Sequence, residues 1–581
     1  PCPLVSLSPC PLVPLSPCLL VPLSPCPPVP SSRLTGDRIA AIIRPVGCLT
    51  EALNTLIERR MRFDGTPGVI LAVTDRKALR EVICCGWADV AAQRPVMPEL
   101  LFEIGSITKS FTAIALLQLS ERGLLDLHAP VSRYLPWFQV RSAFEPITLH
   151  HLMTHTAGII MGTELSTEAR YEVWALRETE AAAPPGTTFH YSNVGYKALG
   201  LVLEAVLGQD YGEIVRERIL QPLDMGASSP VITHEIRQGM AVGHEFLYDD
   251  RPPHRSQPLV PATWLETGTA DGSIAATAAD MAAYLRMLLN RGLGSRGRIL
   301  SAESFELLTR PVIAPDDGAH GVFYGYGLNI GQVDGHRVIG HDGGMVGYYA
   351  SVLADMDAGL GVVVLVNGPG SPEEIARTAL ALLRADAEGR DLPPLPAEAD
   401  LLRVERAADY AGFYESEAGA FTLLAEGERL VMEIDGARVP LEPREVDYFY
   451  VDHPAFARFL LRFERREGQV MAACCGPRCY LRLAASAPPV PDYPPEWDAY
   501  PGHYRAHNPW FSNLRVVLRR GRLILIEPRG KEHVLVPLGE GIFRAGEDER
   551  CPERVRFDTI IDGRAVRLNL SCCDYYRTFT P

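Results

Sequence analysis

The chain has 581 residues, of which 47% are hydrophobic, 22% charged and 8% aromatic. At about 100–200 residues per domain this allows three or four domains with cores of their own, which excludes full-length disorder, a collagen repeat and a small disulfide scaffold. The net charge of −15 excludes a nucleic-acid groove as the main function, and only four of the 56 basic residues are lysine (Lys77, Lys109, Lys197 and Lys531).

Residues 1–32 form four octads, PCPLVSLS, PCPLVPLS, PCLLVPLS and PCPPVPSS, with no charge before Arg33. Proline lacks an N–H and breaks helices, so a run this rich in it is neither a secretory apolar region nor a membrane span. Residues 1–33 are read as a disordered polyproline-like tail or a gene-boundary artefact, and are set aside from the fold. No later stretch has 18 uncharged apolar residues, so the remainder is expected to be soluble.

From Leu34 to Pro396 helical and strand-like segments alternate. Gly68–Val73 has strand character, and Ser110–Leu125 is an apolar helix bounded by Gly123. Leu199–Val206 and Ile219–Leu223 flank another helical region. Ala279–Asn290 starts a helix after Thr277, with acid in its first turn. Ala350–Ala354 and Gly361–Val366 are predicted to pair through a hairpin at Asp355–Ala358. Pro372–Arg384 is predicted to be a closing helix, followed by a linker over Asp391–Asp400.

The last 180 or so residues change to short strands with glycine turns, and they repeat. Asp409–Tyr414 (DYAGFY) matches Ala499–Tyr504 (AYPGHY), and Phe421–Met432 matches Leu514–Leu525 with Gly427 and Gly521 at the hairpin tips. Phe463 to Cys474-Cys475 matches Phe557 to Cys572-Cys573 more loosely. Two copies of one small antiparallel β-barrel domain account for this, over 397–490 and 491–581. The first domain is placed at 34–396.

Nine cysteines lie outside the octads, six of them in the vicinal pairs Cys84-Cys85, Cys474-Cys475 and Cys572-Cys573. Neighbours on a strand point to opposite faces, so buried free thiols in a reducing, cytoplasmic compartment are expected. Export stays open if the N-terminus is misassigned. Cys475 and Cys479 fall short of the four ligands of a closed zinc site. His234-Glu235 and His244-Glu245 lack the second histidine of a metalloprotease helix.

Three clusters carry chemistry. In Phe102-Glu-Ile-Gly-Ser106-Ile-Thr-Lys109 a serine opens a helix and a lysine follows one turn later on the same face. That spacing lets an amine accept the hydroxyl proton, which arginine does not do, and the helix N-terminus favours negative charge there. In His190-Tyr191-Ser192-Asn193 a phenol is placed to shuttle protons, and an amide to hold both the lysine and a substrate. In Gly340-His341-Asp342-Gly343-Gly344 the glycines beside a strand let backbone approach a ligand closely.

In this order and spacing the three clusters resemble the penicillin-recognising serine hydrolases: serine β-lactamases, penicillin-binding carboxypeptidases, and related esterases and D-aminopeptidases. Leu124–Pro136, Ile147–Gly158, Pro222–Met225 and Ala270–Asp280 look like the family's connecting segments, so the resemblance runs from about Leu49 to Ala385. It implies an α/β β-lactamase-like catalytic domain, an antiparallel sheet flanked by helices plus a helical subdomain, ahead of the two barrels. It also implies an acyl-enzyme on Ser106 with Lys109 as base or relay. Tyr191 would pass protons to the leaving group, and Asn193 would orient Lys109 and substrate. The backbone N–H groups of Ser106 and Gly344 would form the oxyanion hole, with Gly343 and Gly344 lining the substrate. His155 is read as structural.

His341 departs from the β-lactamase pattern, which has a lysine there. An ammonium suits a β-lactam carboxylate, whereas an imidazole is only partly charged near neutral pH. H-x-G resembles the D-aminopeptidase and D-amino-acid-amidase branch, in which a barrel loop reaches the active site; His503–Asn513 is the expected counterpart. The expected partner is a small-molecule or peptide substrate, with no cofactor and no metal; oligomeric state stays open. Amides and small peptides, with or without D-residues, come first, and esters or β-lactams second. A catalytically retired relative that binds peptidoglycan-like ligands or partners is the competing reading.

Overall fold

A computed structural model describes residues 48–162, 168–315, 320–483 and 491–578; the octad repeat lies outside them. An eight-stranded antiparallel sheet forms the centre of the first part. Helix α1 (Cys48–Asp64) leads into β1 (Gly68–Asp75), β2 (Leu79–Asp89) and β3 (Arg94–Pro95). Helices α2 (Thr108–Glu121), α3 (Asn193–Leu207) and α4 (Ala278–Leu289) follow. The chain then returns as β4 (Phe323–Tyr324), β5 (Asn329–Val333), β6 (His336–Met345), β7 (Tyr348–Asp355) and β8 (Leu360–Val366), closed by α5 (Pro372–Ala387). The strand order is β4-β5-β6-β7-β8-β1-β2-β3, so the first and last strands of the domain meet at mid-sheet, Val69 opposite Val366 and Asp75 opposite Leu360.

Both faces of that seam are covered. Ile70 and Ala72 of β1 join the core beneath α2 and α4, and Val69, Leu71 and Val73 join the one beneath α1 and α5. This is the period-2 alternation of a strand whose faces both carry helices, and it is why GVILAV reads as one apolar run. Every residue of α2 from Thr108 to Leu119 is buried, so the helix shows no polar stripe. Thr277 caps α4 by accepting the Asp280 N–H at 3.2 Å, as its sequence predicts.

The C-terminal region is two closed eight-stranded antiparallel barrels, the first running from Gly412–Ser416 to Arg478–Arg482 and the second from Gly502–Arg505 to Cys573–Arg577. The repeat read from the sequence is physical. Tyr414 Oη donates to the carbonyl of Tyr410 at 2.7 Å, and Tyr504 Oη to that of Tyr500 at 2.6 Å. Arg482 and Arg577 bond the carbonyls of Ala411 and Pro501 in the corresponding places.

Two cysteine expectations need correction. Cys474 is bonded to Cys479, because the two stand directly opposite on adjacent strands with Cα atoms 4.1 Å apart. That pair is therefore neither free nor a metal donor set, while Cys84, Cys85, Cys475, Cys551, Cys572 and Cys573 are free thiols. The two C-terminal vicinal pairs are also not equivalent. Cys474-Cys475 ends the seventh strand of the first barrel, and Cys572-Cys573 spans the turn into the eighth strand of the second. Among the described residues no helix is long and apolar enough to cross a membrane.

Candidate active site

Ser106 sits in a short 3-10 turn, Gly105–Ile107, that runs straight into α2. Lys109, fully buried in the first turn of that helix, places Nζ 3.0 Å from Ser106 Oγ and 2.8 Å from the carbonyl of Asp271. The rings of Tyr191 and Tyr196 stand 4.9 and 5.6 Å from the same nitrogen. The ammonium is thus held by one carbonyl, one hydroxyl and two aromatic faces.

Strand β6 closes the other side. A Cβ on Gly343 would lie 1.8 Å from the carbonyl oxygen of Ile104, and one on Gly105 would lie 2.6 Å from the Gly344 nitrogen. Backbone therefore packs on backbone here, and only glycine permits it. This contact sets the Gly344 amide beside the Ser106 turn.

Tyr191 and Asn193 arrive from a loop that starts α3. Ser192 caps that helix by accepting the Gly195 N–H at 3.1 Å, and Asn193 N donates to the Met161 carbonyl at 2.6 Å. The Oδ1 of Asn193 is buried and makes no hydrogen bond, and the bond from Asn193 to Lys109 that the sequence reading anticipates is not formed in this state. His155 lies behind this loop. Its Nδ1 accepts the Ser192 N–H at 2.9 Å, and its ring lies 4.1 Å from that of Tyr191. Burial, with Lys109 next, holds the imidazole far below its ordinary range, so the ring is neutral and supports Tyr191 from behind.

His341 is buried, with Nδ1 2.5 Å from the Asp342 carbonyl and Nε2 3.0 Å from Tyr324 Oη. Burial, then the nearby Lys109, pushes its pKa down to about 4. Sequence reasoning missed Tyr324, Tyr196 and the Asp271 carbonyl. The two tyrosines carry no motif, and a carbonyl carries no residue signal.

The second barrel touches this loop by an unforeseen residue. Glu553 accepts the Met161 N–H at 2.8 Å and faces His190 Nε2 at 3.3 Å. The expected segment, His503–Asn513, instead meets a strap of the first domain: Ser512 and Asn513 donate to Asp249 at 2.7 Å each.

A half-buried serine and a buried lysine at a helix start, faced by a glycine strand of an antiparallel sheet, define the penicillin-recognising serine hydrolase class. The Beta-lactamase family profile matches residues 53–386, more than half of the chain, and the chain belongs to that family with its hydrolase fold. Penicillin-binding protein 4 of Amycolatopsis lactamdurans is 29% identical over 377 residues, which cover 62% of this chain and 97% of that protein. The octameric penicillin-binding protein homologue from Pyrococcus abyssi shares 26% identity at a TM-score of 0.57, over 83% of this chain and 99% of that one. The D-amino acid amidase from Ochrobactrum anthropi SV3 has a TM-score of 0.49 at 22% identity, over 58% of this chain and 99% of that one.

Proposed function

We propose that this chain is a serine hydrolase that works through an acyl-enzyme on Ser106. The observation that carries the reading is the 3.0 Å approach of Lys109 Nζ to Ser106 Oγ inside a buried helix start. In its neutral form Lys109 takes the hydroxyl proton as Ser106 attacks a carbonyl carbon. The N–H groups of Ser106 and Gly344 receive the oxyanion, a contribution worth about 10²–10³ in rate per donor. Tyr191 passes a proton to the leaving group, Asn193 Oδ1 takes a substrate N–H, and water then frees the acid and restores Ser106. Amides and small peptides, including those with D-residues, are the substrates placed first, and carboxylic esters second.

Intact-mass labelling with a fluorophosphonate or a penicillin tests the nucleophile. One adduct is expected on the wild type and none on Ser106→Ala; a folded wild type that takes no label refutes the reading. Lys109→Arg keeps the charge but holds its proton, so hydrolysis is expected to fall by orders of magnitude. Near-wild-type turnover would remove Lys109 from the base role. A panel of D- and L-aminoacyl amides, short-chain esters and a chromogenic cephalosporin ranks the substrates.

A further inference from the structure

The protons of the His341 ring are fixed by its neighbours. A backbone carbonyl only accepts, so the 2.5 Å contact to the Asp342 oxygen puts a proton on Nδ1. In the neutral ring Nε2 is then an acceptor, and the donor that faces it is the Tyr324 phenol 3.0 Å away, whose other hydrogen-bonding neighbour is the Tyr196 phenol, with Tyr191 close by. Tyr324 is itself immobilised. It is 2% exposed, its N–H donates to the Ile313 carbonyl at 2.7 Å, and its ring packs 4.9 Å from His155 and 5.5 Å from Phe189.

The charged and titratable groups around His341 come from several elements. Lys109 of α2 and His155 face it across the site. Asp342 follows it on β6, its carboxylate taken by the Ser351 hydroxyl at 2.7 Å. Glu373 and Arg377 of α5 line a cavity that His341 and Asp342 share. No carboxylate bonds either ring nitrogen among the described residues, and Lys109, whenever it is protonated, is a like charge that opposes a second cation on the ring.

We infer that Tyr324 is a positioning residue that locks His341 as the neutral Nδ1–H tautomer and occupies its Nε2 lone pair. This wall of the cleft then offers no cation to a substrate carboxylate. The inference rests on the serine-hydrolase reading and narrows its substrates to acyl compounds without a carboxylate beside the scissile bond. It differs from the partly charged imidazole expected from sequence, because the ring is both buried and capped.

Two experiments on the full chain decide it. The first is ¹⁵N-histidine NMR of the wild type, with His341 assigned from His341→Gln. The expected signal is the Nδ1–H tautomer, unchanged from about pH 8 to about pH 5. An Nε2–H tautomer, or titration near the ordinary histidine value, overturns the proposal without reference to activity. The second is the pH profile of Tyr324→Phe. Without the phenol, Nε2 is free to bind a proton, so the acid limb of kcat/KM for a neutral amide is expected to move to higher pH, while burial and Lys109 still hold it below the ordinary histidine value. KM for the carboxylate-bearing analogue should fall relative to the amide below about pH 6. An unmoved acid limb overturns the inference. A wild type that neither turns over nor takes a label defeats the hydrolase reading instead, and the NMR result then stands alone.

Discussion

Two of the four lysines are buried, and the structure gives them opposite tasks. Lys197, 2% exposed, is paired with the Glu172 carboxylate at 3.0 Å. Lys109 meets a hydroxyl and a carbonyl instead. Lys197→Met is therefore expected to cost about 3–5 kcal/mol by leaving Glu172 charged in the core. The double change Lys197→Met with Glu172→Leu should recover most of it, as read by denaturant unfolding. Lys109→Arg should instead reduce turnover. Glu103, three residues before Ser106, supplies a pH test. Burial, partly offset by Arg237, raises its carboxyl to about 8 from 4.5. A raised carboxyl pKa means the folded state holds a proton that the unfolded chain has lost, so stability falls as pH rises from about 4.5 to about 8. Glu103→Gln has nothing to ionise, so its melting temperature should gain on the wild type between about pH 6 and about pH 9; parallel curves would refute the assignment.

At the scale of elements, the close packing of β6 on the Ser106 turn is the most exacting contact of the site. Gly343→Ala would force its methyl into the Ile104 carbonyl, so β6 or the turn must move. A loss of about 1–3 kcal/mol is expected from the overpacking, with kcat falling more than KM rises because the Gly344 amide is displaced. Thermal melts beside steady-state kinetics separate the two effects. Elements of this kind were largely legible. S-x-x-K announced Ser106 and Lys109 because one helical turn brings i and i+3 together, and the hairpin over Asp355–Ala358 followed from two apolar runs. The β-barrel repeat is legible because Tyr410 and Tyr414 recur 90 residues later as Tyr500 and Tyr504, and Gly427 has a counterpart in Gly521 at a similar offset. Tyr324, Glu553 and the Cys474–Cys479 bond were not. Each depends on a pairing between strands or domains whose register a single sequence does not display. The barrel loop differs from expectation for the same reason: His503–Asn513 is distinctive in sequence, but its partner Asp249 lies in an unremarkable strap.

At the scale of the molecule, that strap joins three bodies. Asp249 and Asp250 take Arg505, Ser512, Asn513 and Arg515 of the second barrel, while His254 and Arg255 take Glu442 of the first. Glu553 adds a further tie, at His190 next to Tyr191. Glu553→Ala is expected to lower kcat/KM while the isolated unfolding signal of the barrels stays unchanged; equal activity would mean that the second barrel docks without influencing the Tyr191 loop. The seam of the central sheet has a consequence in time rather than space. Strand β1 leaves the ribosome about 300 residues before β8, its partner at mid-sheet. At about 5–20 residues per second the first strand waits roughly 15–60 s for its neighbour. Ser106 and Lys109 are made early in that interval, yet the glycine strand that completes their cleft arrives only near its end. A nascent chain halted before residue 336 should therefore take no fluorophosphonate, and one released past the closing helix should take it fully.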